Sequence, residues 1–202
     1  MTIRAILFDL GGVLLRTTDF EPRERLAARL QMNRFELEKF IFGGESGDQA
    51  QRGEISVQQH WENVRQQINY SPEEFNALVN DFFAYDEIDE SLIDYIRELR
   101  KTYKTALLSN AWGDMRKIIT EEWHIEDAFD VMIISAEVHI TKPDPRIFRL
   151  ALDRLGVKAD QAILVDDMKR NVEGAQLVGW QAIQFQTPYQ LRHDLSLLLN
   201  SR

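Results

Sequence analysis

The chain has 202 residues, 44% hydrophobic and 28% charged, and carries a formal charge of -9 from 33 acids against 24 bases. That length buries one sizeable core, or a core with a smaller insertion, and the composition is that of an ordinary folded protein rather than a disordered one. The negative balance without a local basic patch speaks against nucleic-acid or anionic-membrane partners, and the absence of cysteine excludes disulfides, thiolate metal sites and cysteine nucleophiles.

Residues 3–8, IRAILF, form an apolar run that stops at Asp9 and the Gly11-Gly12 pair, the pattern of a buried strand feeding a tight turn. Arg4 and the apolar residues after it look superficially like an export leader, but Asp9 interrupts the run. No stretch approaches the roughly 18 apolar residues of a membrane span, so a cytoplasmic protein is expected. From about 16 to 86 the apolar residues recur at helical intervals, as in RERLAARLQ, RFELEKFIF, VQQHWENVRQQI and PEEFNALVNDFF. Within that block Ser71-Pro72-Glu73-Glu74 predicts a helix start with a capping box. The Gly-rich polar stretch from Phe42 to Ser56 reads as a loop between helices, either a substrate loop or an exposed connector.

After Asp86 the pattern alternates: helix 89–101, strand 105–109, helix 113–123, strand 131–135, helix 145–155, strand 162–166, helix 169–178, strand 181–185 and helix 188–199. Short apolar strands between helices predict βαβ units and a parallel sheet, which the first strand should join. The expected organisation is a discontinuous α/β core, residues 1–15 and 87–202, with an all-helical insertion at 16–86.

Ligands of open parallel sheets bind beyond the carboxyl ends of the strands. There the sequence puts Asp9, Ser109-Asn110, Lys142 and Asp166-Asp167. Singly, each has an ordinary use: a turn acid, a strand-end hydroxyl, a solvated lysine, a helix cap. Jointly, three carboxylates at one crevice would repel one another without a cation between them, and hard oxygen donors without His or Cys suit Mg²⁺. Mg²⁺ and a lysine together suit a phosphoryl group, and Asp9 is the candidate nucleophile. The receiver domains of two-component signalling use a related set, but their paired acids come first in the chain and they have no large helical insertion.

FDLGGVL, LLSN, the lysine of TKPDPRIF and LVDDMKRNVEGAQLVGW occur in the order and spacing of the four motifs of the haloacid dehalogenase (HAD) superfamily, which the chain resembles over essentially its whole length. Within it the wording is most similar to the phosphatase domain of soluble epoxide hydrolases and to glucose-1-phosphate phosphatases, the latter also in the RGEIS stretch from Arg52. The resemblance implies a Rossmann-like core with a mobile helical cap that chooses the substrate. It implies Asp9 as nucleophile, with Ser109 and Lys142 holding phosphoryl oxygens. Asp166, Asp167, Asp9 and the backbone carbonyl of Gly11 would hold Mg²⁺. Asn110 is a candidate phosphate contact, and Asn171 is a candidate for orienting the acidic loop.

Most relatives carry a second Asp two residues after the nucleophile, as the acid that protonates the leaving oxygen; here Gly11 occupies that position. Three readings accommodate the glycine. One is a phosphatase of small phosphorylated metabolites with good leaving groups, sugar phosphates favoured. The second is a 2-haloacid dehalogenase, against which the Asp166-Asp167 pair argues, and the third is a binding or regulatory protein with weak turnover. His60, His124, His139 and His193 lack metal-ligand spacing and are read as surface or packing residues, as is Trp112 unless it lines the pocket mouth.

Overall fold

The computed structural model describes residues 2–200. In chain order the elements are β1 (Ala5–Phe8), β2 (Leu15–Thr17), α1 (Glu21–Arg29), α2 (Arg34–Phe42), α3 (Gly44–Gln51), α4 (Val57–Ile68), α5 (Pro72–Phe83), β3 (Asp86–Ile88), α6 (Glu90–Arg100) and β4 (Lys104–Ser109). There follow α7 (Met115–Lys117), β5 (Val131–Ile134), α8 (Ser135–Val138), α9 (Pro145–Leu155), β6 (Ala162–Asp166), α10 (Lys169–Leu177), β7 (Gln181–Gln184) and α11 (Pro188–Asn200).

The main sheet has five strands in the order β5-β4-β1-β6-β7, every pair parallel. The expected α/β architecture is therefore present, with β1 at its centre. β1 reads as a continuous apolar run because both sheet faces are covered. Ile6 and Phe8 pack with Leu107, Ile163 and Val165 under α6 and α11. Ala5 and Leu7 pack with Ala106, Leu108 and Leu164 under α9 and α10. Each large side chain buried here contributes on the order of 1.5–3 kcal/mol.

Between β2 and β3 the chain is helical, and those helices have a core of their own around Leu26, Leu37, Ile41, Val64, Leu78 and Phe82. Capping boxes start α2 at Asn33/Glu36, α4 at Ser56/Gln59 and, as predicted, α5 at Ser71/Glu74. β2 and β3 form a separate antiparallel pair, with Leu15 opposite Ile88 and Thr17 opposite Asp86. Arg23 of α1 ties the helices to it, donating from Nε to the Phe82 carbonyl and from one terminal nitrogen to both Asp86 oxygens at 2.7 Å.

Two local expectations are corrected, and three short elements were not expected. The stretch after Phe42 is not a loop but the helix α3; Ala50 is buried, and Gly47 lies so close to α2 that a Cβ would stand 2.4 Å from the Phe42 carbonyl oxygen. Packing overrides the poor helix propensity of glycine there. The expected helix at 113–123 is the short α7 followed by a π-helical turn, Ile118–Glu122. The Thr120 hydroxyl in it donates to the Arg116 and Lys117 carbonyls, which competes with the regular ladder. The strands β2 and β3 and the one-turn α8 carry too few residues to show a period.

Candidate active site

Asp9 leaves β1 at the carboxyl edge of the sheet, its N–H still bonded to the Val165 carbonyl at 2.9 Å. The chain then turns sharply, Leu14 and Leu15 both donating to the Leu10 carbonyl. Gly12 sits in the turn at φ 75°, and a Cβ there would lie 2.4 Å from Asp167 Oδ2. Only glycine meets both demands, the left-handed backbone and the close carboxylate. Asp167 is thereby seated over the turn that follows Asp9.

The four sequence-predicted charged residues meet at one point. Lys142, in the loop between α8 and α9, has a fully buried side chain whose Nζ lies 2.9 Å from Asp9 Oδ1 and 2.6 Å from Asp166 Oδ2. Asp9, Asp166 and Asp167 each bring a carboxylate oxygen within 4.8 Å of the others. Asp166 is anchored from three sides: Lys142, the Met168 N–H at 2.9 Å, and the Asn171 side-chain amide at 3.0 and 3.1 Å to its two oxygens. Asn171 thus holds the acidic loop in the way its position suggested.

The electrostatics follow from burial. Asp9 is pushed up to about 7, first by burial; Lys142 pulls it down, and Asp166 and Asp167 push it up further. Asp167 is also raised, by burial and then by Asp166. One lysine does not neutralise three acids in a low-dielectric site, so the cluster is built to receive a cation.

Ser109 ends β4 and is buried beside this edge. Asn110, expected as a phosphate contact, has its side-chain amide on the backbone of Lys142: Oδ1 accepts from the Lys142 N–H at 2.7 Å and Nδ2 donates to the Lys142 carbonyl at 2.9 Å. The next residue, Ala111, donates its N–H to Ser135 Oγ at 3.0 Å, and that hydroxyl donates to the Gln51 carbonyl at 2.6 Å. Trp112 is buried among the helices, its ring 4.8 Å from His60, 4.9 Å from Trp61 and 5.7 Å from Phe42. It is a packing residue of α1–α5 contributed by the sheet side.

His60 is buried and neutral, accepting from the Ser46 hydroxyl and donating to the Ile41 carbonyl; burial lowers its pKa. His139 holds the Arg52 carbonyl at 2.7 Å. Neither joins the acid cluster, nor do His124 and His193. A hollow of about 550 Å³ opens between α2, α3 and α4, lined by residues such as Lys39, Ser46, Gln49 and Asn63, and shares no residue with the cluster. Ser135 was not among the sequence candidates, because a serine at the start of a one-turn helix carries no signal by type or spacing.

A five-stranded parallel sheet with a buried acid after its central strand, a lysine bridging it to an acid on the neighbouring strand, and helices inserted between β2 and β3 define a hydrolase of the HAD type. The chain belongs to that family: the haloacid dehalogenase-like hydrolase model matches residues 3–179. It is 26% identical to a D-ribitol-5-phosphate phosphatase of Bacteroides thetaiotaomicron over 98% of this chain and 100% of that one. It is also 26% identical to bifunctional epoxide hydrolase 2 of Sus scrofa over 91% of this chain, which spans only 36% of that larger protein. Among solved structures, a wild-type HAD family enzyme of Bacteroides thetaiotaomicron in complex with magnesium and inorganic phosphate superposes with a TM-score of 0.73 at 26% identity, covering 92% of this chain and 96% of that one. The resemblance read from the motifs is borne out. Among the described residues no helix is long and apolar enough to cross a membrane.

Proposed function

We propose that this protein is a Mg²⁺-dependent phosphatase of small phosphorylated metabolites, sugar or polyol phosphates favoured, placed in the cytoplasm. The observation that carries the reading is Lys142 Nζ held between Asp9 and Asp166 with Asp167 in the same cluster. The relative named for D-ribitol 5-phosphate and the neighbour holding magnesium and phosphate support it.

The residues fit Mg²⁺: the donors are all hard oxygens, from Asp9, Asp166 and Asp167, with the Gly11 carbonyl on the same turn, and one lysine leaves the cluster negative. When bound, the ion neutralises phosphoryl charge and draws it to the cluster. In the reaction Asp9 attacks phosphorus, the P–O bond to the leaving alcohol breaks, and an aspartyl-phosphate forms. Water then attacks phosphorus, returning the carboxylate and releasing inorganic phosphate. Lys142 and Ser109 hold phosphoryl oxygens. Gly11 offers no acid, so the leaving oxygen is protonated by substrate, water or a residue of the helical block, or leaves without a proton as acyl phosphates do.

Asp9 and Lys142 are 7% and 2% exposed, so substrate entry requires their surroundings to open. On this reading residues 16–86 are a cap hinged at β2 and β3, which excludes water when closed.

Gly11 favours one second reading, a 2-haloacid dehalogenase, since halide leaves without a proton. The test is phosphate release from sugar, polyol, nucleotide and acyl phosphates with Mg²⁺ or chelator, comparing the native protein with Asp9→Asn. Metal-dependent release lost in the variant is the expected result. Halide release from 2-haloacids without metal, and no phosphate release, would overturn it.

A further inference from the structure

Lys142 lies in an irregular loop, yet its Nζ must stand within hydrogen-bond reach of two acids on two strands. A long, flexible side chain holds such a position only if its own backbone is fixed. No ladder of the sheet does this, because residue 142 belongs to no strand. Both backbone polar groups of Lys142 are instead taken by one side chain, that of Asn110, which stands 32 positions earlier and directly follows β4.

The pairing is reciprocal. The Lys142 N–H requires an oxygen and the Lys142 carbonyl requires an N–H, so the two bonds fix the orientation of the amide without ambiguity. The Asn110 side chain thus imitates one rung of a β-ladder and extends the edge of β4 to the loop that carries the lysine. The stem of Lys142 is then buried, and Nζ is held between Asp166, to which it donates at 2.6 Å, and Asp9, 2.9 Å away. Since Ser109 is the neighbouring residue, a single strand end sets the positions of both the hydroxyl and the ammonium of the site.

We propose that Asn110 is a positioning residue: it acts through the Lys142 backbone to aim Nζ at the phosphoryl group, and it does not bind substrate with its side chain. This rests on the phosphatase reading above and deepens it. Asn is the residue the geometry needs. Asp would keep an acceptor for the Lys142 N–H but set an oxygen against the Lys142 carbonyl, Ala would lose both bonds, and Ser would reach only one of them.

The experiment is steady-state hydrolysis of p-nitrophenyl phosphate with Mg²⁺ by native protein, Asn110→Ala, Lys142→Ala and the double variant, together with inhibition by inorganic phosphate. Asn110→Ala is expected to lose about 100-fold in kcat, the scale of an ångström-sized misplacement, and to weaken inhibition by inorganic phosphate no more than Lys142→Ala does. In the Lys142→Ala background Asn110→Ala is expected to cost nothing more, since coupled residues are non-additive. A direct substrate contact by Asn110 would instead raise the inhibition constant further in the Lys142→Ala background and multiply with the loss at Lys142; either result overturns the proposal. A crystal structure of Asn110→Ala supplies a readout free of activity: Lys142 Nζ is expected to leave Asp9 and Asp166, and an unmoved Nζ refutes the role even if the native protein hydrolyses no phosphate ester. In that last case the functional reading fails by itself while the positioning role is judged by the structure.

Discussion

At Gly11 the chain is exposed, and a Cβ built there meets no atom within 4 Å; at Gly12 a Cβ collides with Asp167. The two neighbours therefore answer differently to substitution. Gly11→Asp restores the acid that most relatives have, in open space and without a left-handed backbone to forbid it. A positioned acid is worth about 10²–10⁴ in rate, and one grafted without supporting contacts delivers less. We expect about a tenfold gain in kcat on sugar and polyol phosphates and little change on acyl phosphates, measured as phosphate release across the two classes. An equal gain on both would show that the missing proton donor is not what limits turnover. Gly12→Ala must displace Asp167 or unwind the turn, so it is expected to weaken Mg²⁺ binding at least tenfold by titration calorimetry, on the scale of a disturbed ligand shell.

The elements that the sequence displays are those whose burial is periodic. β1, β4 and β6 are covered on both faces and stand out as apolar runs. Asp9 and Asp166-Asp167 are legible because they end two of those runs, and Lys142 because of its motif. The three-residue β2 and β3 and the one-turn α8 fall below the length at which any period shows, and α3 is held by tertiary packing that its glycines do not announce. Asn110 was legible as a site residue, but its bond to Lys142 was not, since a contact 32 residues away leaves no mark on local sequence. The same holds for α8. The Ser135 hydroxyl joins Ala111 of the β4 loop to Gln51 of the helical block. Beside it Gly53, at φ 65°, lies so close to α8 that a Cβ would stand 2.2 Å from the Ala136 carbonyl oxygen. Ser135→Ala leaves the Ala111 N–H buried without its acceptor and is expected to cost about 1–3 kcal/mol in urea unfolding. A loss below the error of the extrapolation would show that water replaces the hydroxyl at this seam.

For the whole molecule, the site is a place where the metal-free fold is held against its own charge. Asp9 has its pKa raised from 3.8 to about 7, chiefly by burial, and Asp167 is shifted in the same direction. Between those two pH values the folded chain keeps a proton on Asp9 that the unfolded chain has released. Stability therefore falls as pH rises, by up to about 1.4 kcal/mol per pH unit from this group while the two states differ by a whole proton. The surface acids that arginines hold low, such as Glu62, Asp127 and Asp144, have the opposite sign, but they lose their contribution only at lower pH, outside this window. Hence metal-free protein is expected to melt at progressively lower temperature from about pH 5 to about pH 7, and Asp9→Asn to flatten that slope. On the proposed reading Mg²⁺ binds the ionised cluster of the folded state alone, so millimolar Mg²⁺ should raise the melting temperature more at about pH 8 than at about pH 5. Calorimetric scans of both proteins, with metal and with chelator, measure all four slopes. A native melting temperature that climbs across this range without metal would mean that Lys142 alone keeps Asp9 ionised, and the cluster would then have no standing need of a cation.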